Sequence, residues 1–202
     1  MRNGTDPNWN VDDYLLNFPD IAWPGGELVD MPLELKVQKV GEHVANVLRE
    51  GSQCLTIGAE LGASMLGVAV VDYVAGFRRG RKSTGADFRR FLEEYFPPLY
   101  RGHAVWIYEQ LRCGLMHNLT AINPWQSGVT RFRITGEGDM HLEPADDTMV
   151  FQVRVFLIDV YRAWVMYQHH LVMRADRKGD EVLAFCRRFD RLGGIASMMA
   201  KE

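Results

Sequence analysis

Apolar residues recur at three- and four-residue steps along most of this chain, which restricts it to helices that each bury one face against the others. Val37, Val40, Val44, Val47 and Leu48 predict a first helix from Leu35, with Gly51 as its stop. Cys54 to Phe77 is a long apolar segment carrying Gly58, Ala59, Gly62, Ala63, Ser64, Gly67 and Ala69, small residues that let a neighbouring helix come close. Glycine weakens a helix, so packing must compensate there. Thr84, with Asp87 three residues on, predicts the N-cap of a third helix whose stripe Phe88, Phe91, Leu92 and Tyr95 ends at Pro97-Pro98. A fourth runs from Leu99 to Leu119 through Val105, Tyr108, Leu111 and Leu115, and Pro124 forbids its continuation soon after. Asp147 to Arg174 predicts a long helix with Arg154, Asp159 and Arg162 on a polar stripe, and Asp180 to Leu192 a short one closed by Gly193-Gly194.

The period falls to two between Val129 and Leu142. Arg131 to Thr135 and Met140 to Leu142, flanking Gly136-Glu137-Gly138-Asp139, predict a β-hairpin at about 129–142. A two-stranded ribbon is marginal alone, so it must lie against the helices. The expected fold class is all-α: a helical bundle with a small β-hairpin inserted before the long C-terminal helix.

With 202 residues, 47% of them hydrophobic and 24% charged, the chain has the composition of one soluble globular domain with extensions. Its formal charge of −3 is unevenly placed: residues 1–30 hold six acids and one base, a net of −5, which leaves +2 for the rest. The same leader contains Pro7, Pro19, Pro24, Gly25 and Gly26 and reads as an irregular acidic arm, with 31–202 as a single helical domain. Its aromatics Trp9, Tyr14, Phe18 and Trp23 would gain free energy by docking on the body or on a partner chain. Cys54, Cys113 and Cys186 lack C-x-x-C spacing, which indicates neither a disulfide framework nor a zinc ribbon and makes a cytoplasmic location the expectation. The longest uncharged apolar stretch, Leu61 to Val71, spans 11 residues. A membrane helix needs roughly 20, so no membrane partner is expected.

Several chemistries drop out on their motifs. Gly80 to Gly85 has the glycine spacing of a phosphate-binding P-loop, but Ala86 and Asp87 stand where Lys and Ser or Thr are required. There is no G-x-S-x-G, H-E-x-x-H or G-x-G-x-x-G. His169 and His170 are adjacent on a helix and so point about 100° apart, with no nearby Cys or carboxylate to complete a ligand set. Neither a metal nor a cofactor is expected.

One constellation stands above these. Arg112 and His117, in Tyr108-Glu-Gln-Leu-Arg112-Cys-Gly-Leu-Met-His117-Asn118-Leu-Thr120, have the spacing R-x4-H. With 18 arginines and 6 histidines the bare spacing arises about half a time by chance, and Arg162 with His169 supplies a looser R-x6-H. The context is more specific, since the pair lies in the last turns of an amphipathic helix with polar Asn118 next. This string resembles the catalytic helix of the HEPN superfamily of nucleotide- and RNA-directed domains. The run of Gly80 to Phe96, Leu99 to Thr120, a hairpin and a long helix is similar to uncharacterised bacterial members of that superfamily. Cys113 stands where typical HEPN nucleases place Asn or Asp.

The resemblance implies a HEPN-like bundle over about Leu35 to Arg174, and a homodimer acting as a metal-independent endoribonuclease. His117 would be the acid/base, Arg112 the phosphate clamp, Asn118 an orienting or phosphate-touching residue, and Glu109 the group that holds Arg112 when the site is empty. RNA or a nucleotide would be the ligand, in a toxin or defence setting with an antitoxin-like partner. Histidine titrates near neutral pH and arginine stays charged while forking onto two phosphate oxygens, so both residue types suit this chemistry. Five residues along an α-helix, however, turn a side chain by about 140° with roughly 7.5 Å of rise. HEPN proteins converge the motif across a two-fold interface, and Gly114 suits a local helix distortion.

Arg78, Arg79, Arg81, Lys82, Arg89, Arg90 and Arg101 stand against Asp87, Glu93 and Glu94, a net of +4 over 24 residues. Such a cluster either tracks phosphates in a salt-dependent way or is a solvated helix start. Arg112 and His117 likewise have a structural alternative: an arginine paired with a carboxylate and a histidine satisfied near a helix end. Two other functions stay open on the sequence: a noncatalytic dimeric helical module binding RNA, a nucleotide or a partner protein, and an interaction module using the aromatic leader. The acidic arm is expected to fold over the basic cluster and compete with RNA.

Overall fold

Most of the residues that the computed structural model describes, 31–118, 131–138, 141–145, 148–173 and 179–199, are helical; the acidic arm of residues 1–30 lies outside them. Helix α1 is Leu33–Thr56, α2 Glu60–Arg79 and α3 Gly85–Tyr95. A 3-10 segment, Pro98–His103, leads into α4, residues 104–118. Strands β1 (Arg131–Thr135), β2 (Glu143–Ala145) and β3 (Thr148–Gln152) precede α5 (Val153–Met173) and α6 (Asp180–Met199).

Helix α2 is the hub, packing on α1, α3, α4, α5 and α6. Val68, Val71, Val74 and Phe77 are buried along it, meeting the aromatic core of Phe156, Trp164, Tyr167 and Phe185. Its small residues do what their size predicts: a Cβ on Gly67 would lie 2.8 Å from Phe156, so only glycine lets α5 come this close. By length and composition α2 is also apolar enough to cross a membrane, but 56% of that stretch is buried within this fold. It ends at Gly80 in the left-handed region, φ 70°. Next, Thr84 accepts the Asp87 N–H while the Asp87 carboxylate accepts the Thr84 N–H, the capping box expected of this pair and worth about 1 kcal/mol.

Three boundaries differ from the sequence expectation. Helix α1 continues through buried Gly51 to Thr56, because packing against Leu157 outweighs a propensity cost of about 1 kcal/mol. Helix α6 likewise runs past Gly193-Gly194 to Met199, and the fourth helix opens as the 3-10 segment at Pro98. The sheet differs more. The hairpin expected at 129–142 is replaced by a mixed sheet of order β1-β3-β2, in which β1 pairs in parallel with β3 (Arg131 opposite Thr148) and β2 pairs antiparallel with it (Glu143 opposite Val150). Residues 129, 130, 139 and 140 of that expected hairpin lie outside the described residues. The segment Thr148–Gln152, expected as the start of the long helix, is β3: its Thr, Val and Phe favour a strand, and Val150 and Phe151 are buried.

A buried polar relay fastens this sheet to the bundle. The Gln152 backbone N–H donates to His141 Nδ1 at 3.1 Å, which leaves Nε2 to carry the ring proton and donate to Tyr100 Oη at 2.8 Å. The Tyr100 hydroxyl donates in turn to Asp159 Oδ2 at 2.9 Å, and Arg162 lies 3.5 Å from Oδ1. Leu142, at φ 54°, turns the chain from His141 into β2. Burial pushes the His141 imidazole down to about 4 and raises the Asp159 carboxyl.

Candidate functional site

The R-x4-H segment is not wound as a plain α-helix. Ile107–Leu115 form a π-helix between the short α segments Ala104–Trp106 and Met116–Asn118. Hydrogen bonds from i to i+5 widen each turn, which reduces the roughly 140° divergence that an α-helix gives residues five apart. Arg112 Nη1 and His117 Nε2 accordingly lie 3.2 Å apart, on an exposed surface. Gly114, buried inside the π segment, sits where a distortion was expected. A guanidinium can only donate, so in this contact His117 accepts at Nε2 and carries its proton on Nδ1.

Arg112 is held from behind. Its Nη2 donates to Asp72 Oδ2 at 2.9 Å, and the other oxygen of Asp72 accepts from Ser83 Oγ in the loop between α2 and α3. Burial alone would lower the Arg112 pKa, but the Asp72 bond and charge outweigh it and hold the guanidinium more firmly charged. The guanidinium also lies over the Tyr108 ring, 5.8 Å from its centroid. That ring is fixed by Phe88 at 5.4 Å and by Gly85, where a Cβ would come within 2.6 Å of it. Burial, then a hydrogen bond with Cys113, raises the Tyr108 hydroxyl pKa.

Asp72, Ser83 and Tyr108 were not among the predicted site residues. Asp72 had one signal, a lone carboxylate ending the longest uncharged apolar run. It is a carboxylate partner of Arg112. Asn118 closes the segment, and its side chain lies outside the described residues.

The basic cluster is not one open cationic strip. Arg78 bridges Glu94 at 2.6 Å and Glu181 at 3.5 Å, and Arg90 pairs with Glu94 at 2.8 Å. Arg79 and Arg81 both bind Asp87, at 3.1 and 3.0 Å. Ion pairing thus engages four of the cluster's cations, while Arg89 and Lys82 form no ion pair among the described residues. Arg89 lies 5.5 Å over the Tyr108 ring and so belongs with Arg112. His170 Nδ1 sits 3.3 Å from the Tyr95 hydroxyl, and no group of three or more His, Cys, Asp or Glu among the described residues is placed to hold a metal.

No family model matches the chain. Neither does any curated protein or solved structure. Functional assignment therefore rests on the chemistry of Arg112, His117 and their supports.

Proposed function

We propose that this protein is a metal-independent endoribonuclease of HEPN type, working as a homodimer with His117 as acid/base and Arg112 as phosphate clamp. The observation that carries the reading is the 3.2 Å contact between Arg112 Nη1 and His117 Nε2 on an exposed surface, with Asp72 holding the other guanidinium nitrogen. An arriving phosphate takes the Arg112 N–H groups and leaves Nε2 free to accept the 2′-hydroxyl proton. The 2′-oxygen then bonds to phosphorus as the bond to the 5′-oxygen breaks, and the leaving oxygen takes a proton from an imidazolium, the partner's His117 in the dimer. The products are a 2′,3′-cyclic phosphate and a 5′-hydroxyl. Cys54, Cys113 and Cys186 are free thiols, which suits a cytoplasmic toxin or defence protein with an antitoxin-like partner.

The test compares wild type with His117→Ala and Arg112→Ala on a mixed RNA pool in EDTA. Losses of about 10²- to 10⁴-fold are expected for His117→Ala. Equal cleavage by wild type and His117→Ala, or none by either, overturns the reading. A noncatalytic RNA-, nucleotide- or protein-binding dimer is favoured by one observation, that Arg112 already has a carboxylate partner. RNA affinity without strand scission would select it.

A further inference from the structure

Among the basic residues around α3, Arg89 differs in what surrounds it. Arg78, Arg79, Arg81 and Arg90 meet Glu94, Glu181 or Asp87, whereas half-buried Arg89 forms no ion pair among the described residues and lies 5.5 Å over Tyr108. The same ring carries Arg112 at 5.8 Å. Two guanidinium groups on one aromatic ring repel each other, and Asp72 compensates only Arg112. The electron-rich ring supports both cations without using their N–H groups: Arg89 keeps its fork for an anion, and Arg112 Nη1 meets only His117, which an anion can replace. Gly85 and Phe88 fix the ring, so Tyr108 is a spacer that sets the distance between two cations.

We infer that Arg89, Tyr108 and Arg112 form a two-cation clamp in which Arg89 holds the phosphate next to the scissile one, making the substrate an oligonucleotide strand with consecutive phosphates. This rests on the ribonuclease reading. A strand carries one phosphate per nucleotide, so a phosphate held by Arg112 has a neighbour to offer Arg89. A dinucleoside monophosphate, with its single phosphate, leaves Arg89 unmatched.

The test measures kcat/KM per scissile bond, in EDTA, for mixed-sequence dinucleoside monophosphates and mixed-sequence hexamers, and the salt dependence of binding to a 2′-O-methyl hexamer. Wild type is expected to favour the hexamers by about tenfold or more, the scale of one charged hydrogen bond. Arg89→Ala should erase that preference and reduce the salt slope by about one. Arg89→Lys should restore the slope, because it keeps the charge. If Arg89→Ala keeps both the preference and the slope, the clamp is overturned while the ribonuclease reading stands. If wild type cleaves neither pool, the ribonuclease reading falls, and the slope then decides the clamp as an oligonucleotide-binding feature.

Discussion

His141 and His117 both belong to small networks containing a carboxylate and an arginine, and the two networks differ in what encloses them. His141 is buried: Gln152 N–H fills one ring nitrogen, Tyr100 the other, and the chain of donors ends on Asp159. Burial pushes its pKa to about 4, so at neutral pH it is an uncharged strut between sheet and bundle. His117 is exposed, and its partner is an arginine that a phosphate can claim. The same side chain is thus a fastener in one place and, in the proposed function, a proton carrier in the other. Enclosure decides which.

The widest separation of the two roles comes from removing each histidine. His117→Ala should lower RNA cleavage by about 10²- to 10⁴-fold and leave unfolding free energy within about 0.5 kcal/mol of wild type. His141→Ala should do the reverse, lowering urea stability with cleavage per folded molecule unchanged.

Acid should open the buried network next. The unfolded chain protonates His141 near its ordinary 6.5 and the folded one only near 4, so the unfolded state binds more protons between these values. Stability should therefore fall as pH drops through that window, by up to about 3 kcal/mol in urea titrations. Asp159, raised by burial, acts in the opposite sense just above its ordinary 3.8, where the folded state keeps its proton longer.

Tyr100→Phe removes both relay bonds and leaves Asp159 Oδ2 without its donor, with Arg162 still at Oδ1. A loss of about 1–3 kcal/mol by urea denaturation is expected, with no change in product ends. The smallest effect belongs to the open network's support: Asp72→Asn should weaken the hold on Arg112 and slow cleavage about tenfold, with kcat falling more than KM rises.

How much of this was legible in the sequence follows from the range of each interaction. The Thr84–Asp87 cap, the α3 stripe and the small-residue face of α2 are local or periodic, and all three appear as expected. The sheet is not local. Gly136-Glu137-Gly138-Asp139 has the composition of a hairpin turn, yet β1 pairs directly with β3 and skips β2, the next strand in sequence, which no local signal encodes. The R-x4-H pair was legible as spacing, but its convergence depends on π winding. Asp72 reaches Arg112 from 40 residues away, and the pairing of the basic cluster with Asp87 and Glu94 depends on how α2 packs beside α3, with Glu181 of the last helix adding a contact to Arg78.

Analysis of the ends left by RNA cleavage in EDTA tests the central claim most directly. Attack by the 2′-oxygen with His117 as base predicts 2′,3′-cyclic phosphate and 5′-hydroxyl ends that disappear with His117→Ala. Ends carrying 3′-hydroxyl and 5′-phosphate, or cyclic ends produced equally by His117→Ala, would contradict it.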